Sequence, residues 1–155
     1  MGIKVYEHKV QYYETDQMKV VHHSNYIRWF EEARMYWMEE MGMGYDQMEA
    51  AGIISPVVEV SAKYKSMTHF GDTVCIEIKI ETYNGVKLCV DYVVRDKESG
   101  EIRCTGKSTN CFVDSKGNVL IMKKAHPEFD RLFRSMSEYS GLKWRKRCKK
   151  CQRTG

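Results

Sequence analysis

The sequence predicts an α+β domain in which an antiparallel sheet curls around one long helix, with the helix buried against the concave face. Three observations carry that expectation. One helical pattern, from Ser24 to Met41, is apolar over much more than a single stripe. Several later segments alternate apolar and polar residues with a period of two. The links between those segments are too short for parallel crossovers, so the strands must form an antiparallel meander.

The opening KVYEHKVQYY is rich in Val and Tyr and reads as a strand. A polar turn follows, and Ser24 and Asn25 are good N-cap residues for the helix. Within it Tyr26, Phe30, Ala33, Trp37 and Met41 fall on one stripe. Ile27, Trp29, Tyr36 and Met38 widen that stripe, so the helix should be nearly surrounded. Gly42 and Gly44 end it, and YDQMEAAG suggests a short second helix.

From Pro56 the period changes. PVVEVSAKYKS places Val58, Val60, Ala62 and Tyr64 on one face, and TVCIEIKIE places Val74, Ile76, Ile78 and Ile80 on one face. A Tyr83-Asn84-Gly85 turn leads into VKLCVDYVVRD, with Leu88, Val90, Tyr92 and Val94 aligned. KESGE turns into IRCTGKSTNCFVD, and SKGN into a short VLIM. His126-Pro127 opens a last helix, PEFDRLFRSM, with Pro in its first turn.

At 155 residues the chain fits one domain with an adequate core. We place that domain at residues 1–142 and a basic, disordered tail at 143–155. The net charge of +4 belongs to the tail, KWRKRCKKCQRTG, which holds seven Lys and Arg and no acid. Taking those seven from 25 basic residues leaves 18 against 21 acidic, so the body carries about −3. The start, MGIKVYEHKV, has no apolar core of a secretory signal, and no apolar run is long enough to span a bilayer. These features point to a cytoplasmic protein without membrane or nucleic-acid partners. Six cysteines then read as reduced thiols, four of them (Cys75, Cys89, Cys104, Cys111) packed in strands.

Several familiar patterns fail. GKST at 106–109 lies in a strand, and Gly100 and Gly106 have the wrong separation for a phosphate-binding loop. No G-x-S-x-G nucleophile elbow occurs. Cys148-x-x-Cys151 has no second ligand pair, and the side chains of His22 and His23 should diverge on an emerging helix. The residues call for no metal and no cofactor.

Asp16 is the candidate that remains. It follows a strand and precedes VVHHSNY, so it lies near the start of the long helix. Unpaired N–H groups there form a positive end that can polarise a carbonyl and hold an oxyanion. A carboxylate beside them can activate water or attack directly.

The run Y-x-T-D-x-x-x-V-V-H-H-x-N-Y-x-R-W-F-E-x-A-R closely resembles the opening signature of the hotdog-fold acyl-CoA thioesterases of the 4-hydroxybenzoyl-CoA thioesterase and YbgC-like group. The order of elements, the FGD turn at 70–72 and the G-K-S-x-N-C-F-V-D strand extend the resemblance over roughly residues 4–136. It implies hydrolysis of an acyl-CoA, with Asp16 as general base or nucleophile and the helix N-terminus at His23 to Asn25 as oxyanion hole. The resemblance places the family's histidine at His23. Tyr13 matches a tyrosine that lines the site, while Asn25 and Tyr26 cap and seat the helix. Glu31 and Arg34 match a structural element and are placed to pair. Lys19 stands where the family has Gly, and it either alters the geometry of the turn or supplies a charge near the CoA or the acyl group. The resemblance also implies a homodimer or homotetramer with sites between subunits. Acyl carrier protein as the carrier, and a non-catalytic acyl-CoA-binding module, are the alternatives.

Overall fold

The computed structural model describes residues 5–138. The basic tail at 143–155, with Cys148 and Cys151, and the first four residues lie outside the described residues. The strands are β1 (Tyr6–Lys9), β2 (Val57–Tyr64), β3 (Thr73–Tyr83), β4 (Lys87–Asp96) and β5 (Ile102–Cys111). They form one antiparallel sheet in the order β1-β3-β4-β5-β2. The helices are α1 (His23–Glu40), α2 (Tyr45–Ala50), α3 (Met122–Ala125) and α4, residues 127–138. The expected α+β layout is therefore present. Among the described residues, no helix is long and apolar enough to cross a membrane.

Alternation fixes which side of the sheet faces α1. In β3, Val74, Ile76 and Ile80 are buried, and in β4 so are Leu88, Val90, Tyr92 and Val94. The ladder slips at Ile80/Thr82, Val94/Arg95 and Val57/Glu59, irregularities that add local twist to a sheet. α1 answers with Tyr26, Trp29, Phe30, Ala33, Trp37 and Met38, each large apolar side chain worth roughly 1.5–3 kcal/mol on burial. Phe30 stacks on Tyr92 with ring centroids 4.5 Å apart. That approach requires Gly106, because a Cβ there would collide with the Phe30 ring and lie 2.7 Å from the Ser61 carbonyl oxygen.

Four expectations are corrected. The helix is not nearly surrounded, since Ile27 is 39% exposed and the remaining apolar residues gather on one face. Arg34 does not pair with Glu31 but enters the core, where its Nη1 donates to the Tyr92 hydroxyl (3.0 Å) and Ser108 Oγ (3.3 Å). The first strand ends early, because Tyr12–Glu14 turn into a single 3-10 turn. VLIM forms no strand beyond the isolated pairing of Val113 with Val119, and Met122 begins α3.

Glu14 explains the early end of β1. Its buried carboxylate accepts from Gln11 N–H (2.8 Å), His8 Nε2 (2.7 Å) and Trp29 Nε1 (2.6 Å). Burial alone would raise its pKa, but those bonds outweigh burial and hold the carboxyl below its ordinary value. One acid thereby ties β1, the 3-10 turn and α1 together. At the other end, Asp130 accepts from the Tyr83 hydroxyl (2.7 Å) and Arg134 Nε (2.9 Å), and so locks α4 onto β3. Burial pushes the Cys104 thiol up to about 12, which makes it an inert core residue.

Candidate active site

The site begins in a hairpin turn. Thr15 pairs with Val21, Asp16 N–H donates to Val20 C=O (2.9 Å), and Lys19 N–H donates to Asp16 C=O (2.9 Å). This is the pattern of a tight turn followed by one left-handed residue, and that residue is Lys19, with φ +64°. Lys19 is the only non-glycine residue with positive φ among the described residues. A glycine would reach this conformation without steric cost. The turn is therefore the one that Gly favours, and Lys19 bears the strain.

Within the turn, Met18 N–H donates to Asp16 Oδ1 (2.8 Å), which fixes the carboxylate. Its second oxygen has no protein donor among the described residues. The chain then enters α1, whose N-cap is His22 rather than Ser24 or Asn25. Ser24 N–H donates to His22 Nδ1 (3.2 Å) and Asn25 N–H to His22 C=O (3.0 Å). Accepting at Nδ1 requires that nitrogen to be unprotonated. Two of the three first-turn N–H groups are thus occupied. Among the described residues, only the His23 N–H lacks a protein acceptor in that turn. The rings of His22 and His23 do not diverge, for their centroids are 4.0 Å apart.

A third segment closes the site. Val21 N–H donates to Thr68 C=O (2.8 Å) and Val20 pairs with His69, which brings residues 64–68 against the turn. Tyr64, at the end of β2, donates its hydroxyl to His23 C=O (3.0 Å). The Tyr26 hydroxyl donates to Thr68 Oγ1 (2.9 Å), and burial pushes its pKa up. The result is an open cavity of about 300 Å³. Met18, Val20, Val21, Tyr26 and Met67 form its apolar walls, and Asp16, His23, Tyr64, Lys65 and Ser66 supply its polar groups.

Of the candidates from sequence, Asp16, His23 and Tyr26 meet in this cavity. Tyr13, Lys19 and Asn25 do not line it. Tyr13 is 81% exposed, Lys19 is exposed on the turn, and Asn25 turns its side chain to Glu14 C=O (2.8 Å). Tyr64, Lys65, Ser66 and Met67 were not among the candidates. Tyr64 closes a clean alternating strand, but nothing local announces that this strand ends at Asp16.

Asp16, fixed by the Met18 N–H, and His23, at the start of α1, line one cavity, and a carboxylate beside a helix N-terminus can activate a nucleophile and receive the charge that develops on a carbonyl oxygen. The profile of the thioesterase-like superfamily matches residues 10–138. A Bacillus subtilis protein, YneP, provisionally named an acyl-CoA thioesterase, is 35% identical over 130 residues, covering 83% of this chain and 94% of that protein. The solved DHNA-CoA thioesterase from Staphylococcus aureus superposes with a TM-score of 0.83 at 27% identity, covering 89% of this chain and 93% of that one. A Thermus thermophilus structure aligns with a TM-score of 0.73 at 30% identity over 86% of this chain and 96% of its own. With a family profile spanning most of its length, the chain belongs to the thioesterase-like superfamily.

Proposed function

We propose that the protein is a thioester hydrolase acting on an acyl-CoA, of the 4-hydroxybenzoyl-CoA thioesterase and YbgC-like kind. The observation that supports it is the shared cavity: Asp16 and the start of α1 face the same apolar space. In the reaction, the thioester carbonyl carbon sits near Asp16 with its oxygen toward the His23 N–H. The Asp16 carboxylate takes a proton from water as the water oxygen bonds the carbonyl carbon, or it attacks that carbon itself and forms, once the thiolate has left, a mixed anhydride that water then hydrolyses to the free acid and the Asp16 carboxylate. The tetrahedral oxyanion is held by the His23 N–H and the positive helix end. Collapse breaks the C–S bond, and CoA leaves as a thiolate that needs little acid assistance.

Ser24 and Asn25 contribute their N–H groups to the cap and not to substrate, so the oxyanion site narrows to His23. Tyr26 shapes the acyl wall. Tyr64 holds the first carbonyl of α1, so that strand β2 steadies the catalytic end of the helix. The exposed Val57, Val58 and Val60 lie on β2, an edge strand with unpaired backbone groups. We assign this edge to a contact between copies that completes each site, in a homodimer or a homotetramer. Sedimentation of the protein as a monomer at micromolar concentration would remove that assignment. The working unit is one domain at residues 1–142, acting in the cytoplasm. The turn at Lys19 has the conformation a glycine would give, so the substitution offers no support for a binding-only module. The test is loss of the thioester from a panel of short, long and aromatic acyl-CoAs. Turnover of at least one supports the reading, whereas CoA binding with no turnover anywhere in the panel rejects it.

A further inference from the structure

We infer that Lys65 is the residue that recognises the phosphate-bearing carrier of the substrate, a specificity determinant at the mouth of the cavity. The inference rests on the acyl-thioester reading of the site and adds to it the part of the substrate that the cavity does not hold. A space of about 300 Å³ lies at the small end of ligand pockets and suits a thioester with a modest acyl group. A nucleotide or a protein carrier must remain outside it, with its phosphates near the rim.

Three features single out Lys65 there. First, it is the only permanent cation among the residues lining the cavity, and Asp16 is the only carboxylate. Second, its backbone is anchored while its ammonium is free. Lys65 N–H donates to Arg103 C=O (2.8 Å), Ser66 N–H to the same oxygen (3.2 Å), and Ser66 Oγ to Ile102 C=O (2.9 Å). The ammonium itself has no carboxylate partner among the described residues. Third, the neighbouring guanidinium is spent. Arg103 Nη1 donates to Ser66 Oγ (3.1 Å) and Glu101 (3.0 Å), and its Nη2 lies 3.7 Å from Asp96. Of the cations at the cavity wall, Lys65 is the one left for a phosphate.

The chemistry recognised is the phosphate on pantetheine, which CoA and the prosthetic arm of a carrier protein share. The experiment compares wild type, Lys65→Ala and Lys65→Arg on one acyl group presented as acyl-CoA, acyl-4′-phosphopantetheine and acyl-pantetheine, with calorimetric titration of CoA alone. Lys65→Ala should lower kcat/KM for acyl-CoA about fivefold, through KM, the size of one partly solvated ion pair. The factor for acyl-pantetheine should stay under twofold, Lys65→Arg should restore most of the loss, and added salt should narrow the gap. An equal loss on acyl-4′-phosphopantetheine supports assignment of Lys65 to the shared phosphate, and a loss confined to acyl-CoA overturns it in favour of the nucleotide phosphates. Equal factors for all three substrates, or no change in any, would overturn the inference. The acyl group is the one turned over fastest in the acyl-CoA panel, and should wild type turn over no member of that panel, the hydrolase reading fails on its own. Calorimetry then decides: CoA binding about fivefold weaker in Lys65→Ala sustains the inference, and equal or absent binding ends it.

Discussion

Replacing Lys19 with glycine should stabilise the protein. Lys19 holds φ +64°, a conformation in which an L side chain crowds its own backbone at a cost of roughly 1–2 kcal/mol. Its side chain is exposed and has no ion-pair partner among the described residues, so removal forfeits little. Glycine relieves the crowding but gives the unfolded chain more freedom, worth about 0.5–1 kcal/mol in the opposite direction. The balance is a gain of about 0.5–1 kcal/mol, or about 1–4 °C in Tm for a domain of this size. Urea unfolding followed by tyrosine and tryptophan fluorescence should show a higher midpoint with an unchanged slope. The turn keeps its shape, so turnover should change less than about twofold. A β-branched residue resists this conformation more strongly, and Lys19→Val should move the midpoint down. A Lys19→Gly midpoint at or below wild type would refute the reasoning, because the left-handed residue would then carry no cost.

Two further substitutions examine the frame behind the site. Gly106→Ala places a methyl group into the Phe30 ring and against a rigid carbonyl, and should cost about 3 kcal/mol in unfolding free energy; a loss under about 0.5 kcal/mol would mean that α1 can lift from β5 freely. Glu14→Gln removes a buried charge that accepts three hydrogen bonds and should cost about 2–3 kcal/mol at neutral pH. Because the folded pKa of Glu14 is depressed, its stabilisation is complete above the unfolded value of about 4.3 and declines as pH falls through the folded value. The gap between the two proteins should accordingly narrow in acid, and a gap that widens below pH 4 would contradict the sign.

The sheet was legible because β3 and β4 must bury one face each, and period-two alternation records that directly. The long helix was legible for the same reason, yet its environment was overread. Trp29 is apolar in sequence, but its indole N–H is spent on Glu14, and Ile27 remains exposed. β1 is shorter than its composition suggests because its end is set by the burial of Glu14 against α1, a tertiary contact that overrides the β-propensity of Val10, Tyr12 and Tyr13. A charged residue at helical spacing from Glu31 normally pairs with it at the surface; here Tyr92 and Ser108 offer Arg34 hydroxyls inside the core.

The candidate site divides along the same line. Asp16 could be named from the chain because it precedes the start of the long helix, whereas His23 was named through the family resemblance. Tyr64, Lys65, Ser66 and Met67 reach the cavity only because Val20 pairs with His69 and Val21 with Thr68. No local pattern encodes those pairings. His22 was passed over because histidine is an uncommon cap, though its Nδ1 fills the role of the usual side-chain oxygen.

The central claim is that Asp16 performs the chemistry in the cavity at the start of α1. The direct measurement is hydrolysis of the acyl-CoA turned over fastest, by wild type and by Asp16→Asn, followed as loss of the thioester itself because six cysteines would consume a thiol-reactive dye. The amide keeps the size of the side chain and its acceptor oxygen for Met18 N–H, and removes the charge. The account predicts a fall in kcat of about 10² or more, roughly 2.7 kcal/mol of lost transition-state stabilisation, with the fold intact by circular dichroism. Equal rates in the two proteins would contradict it.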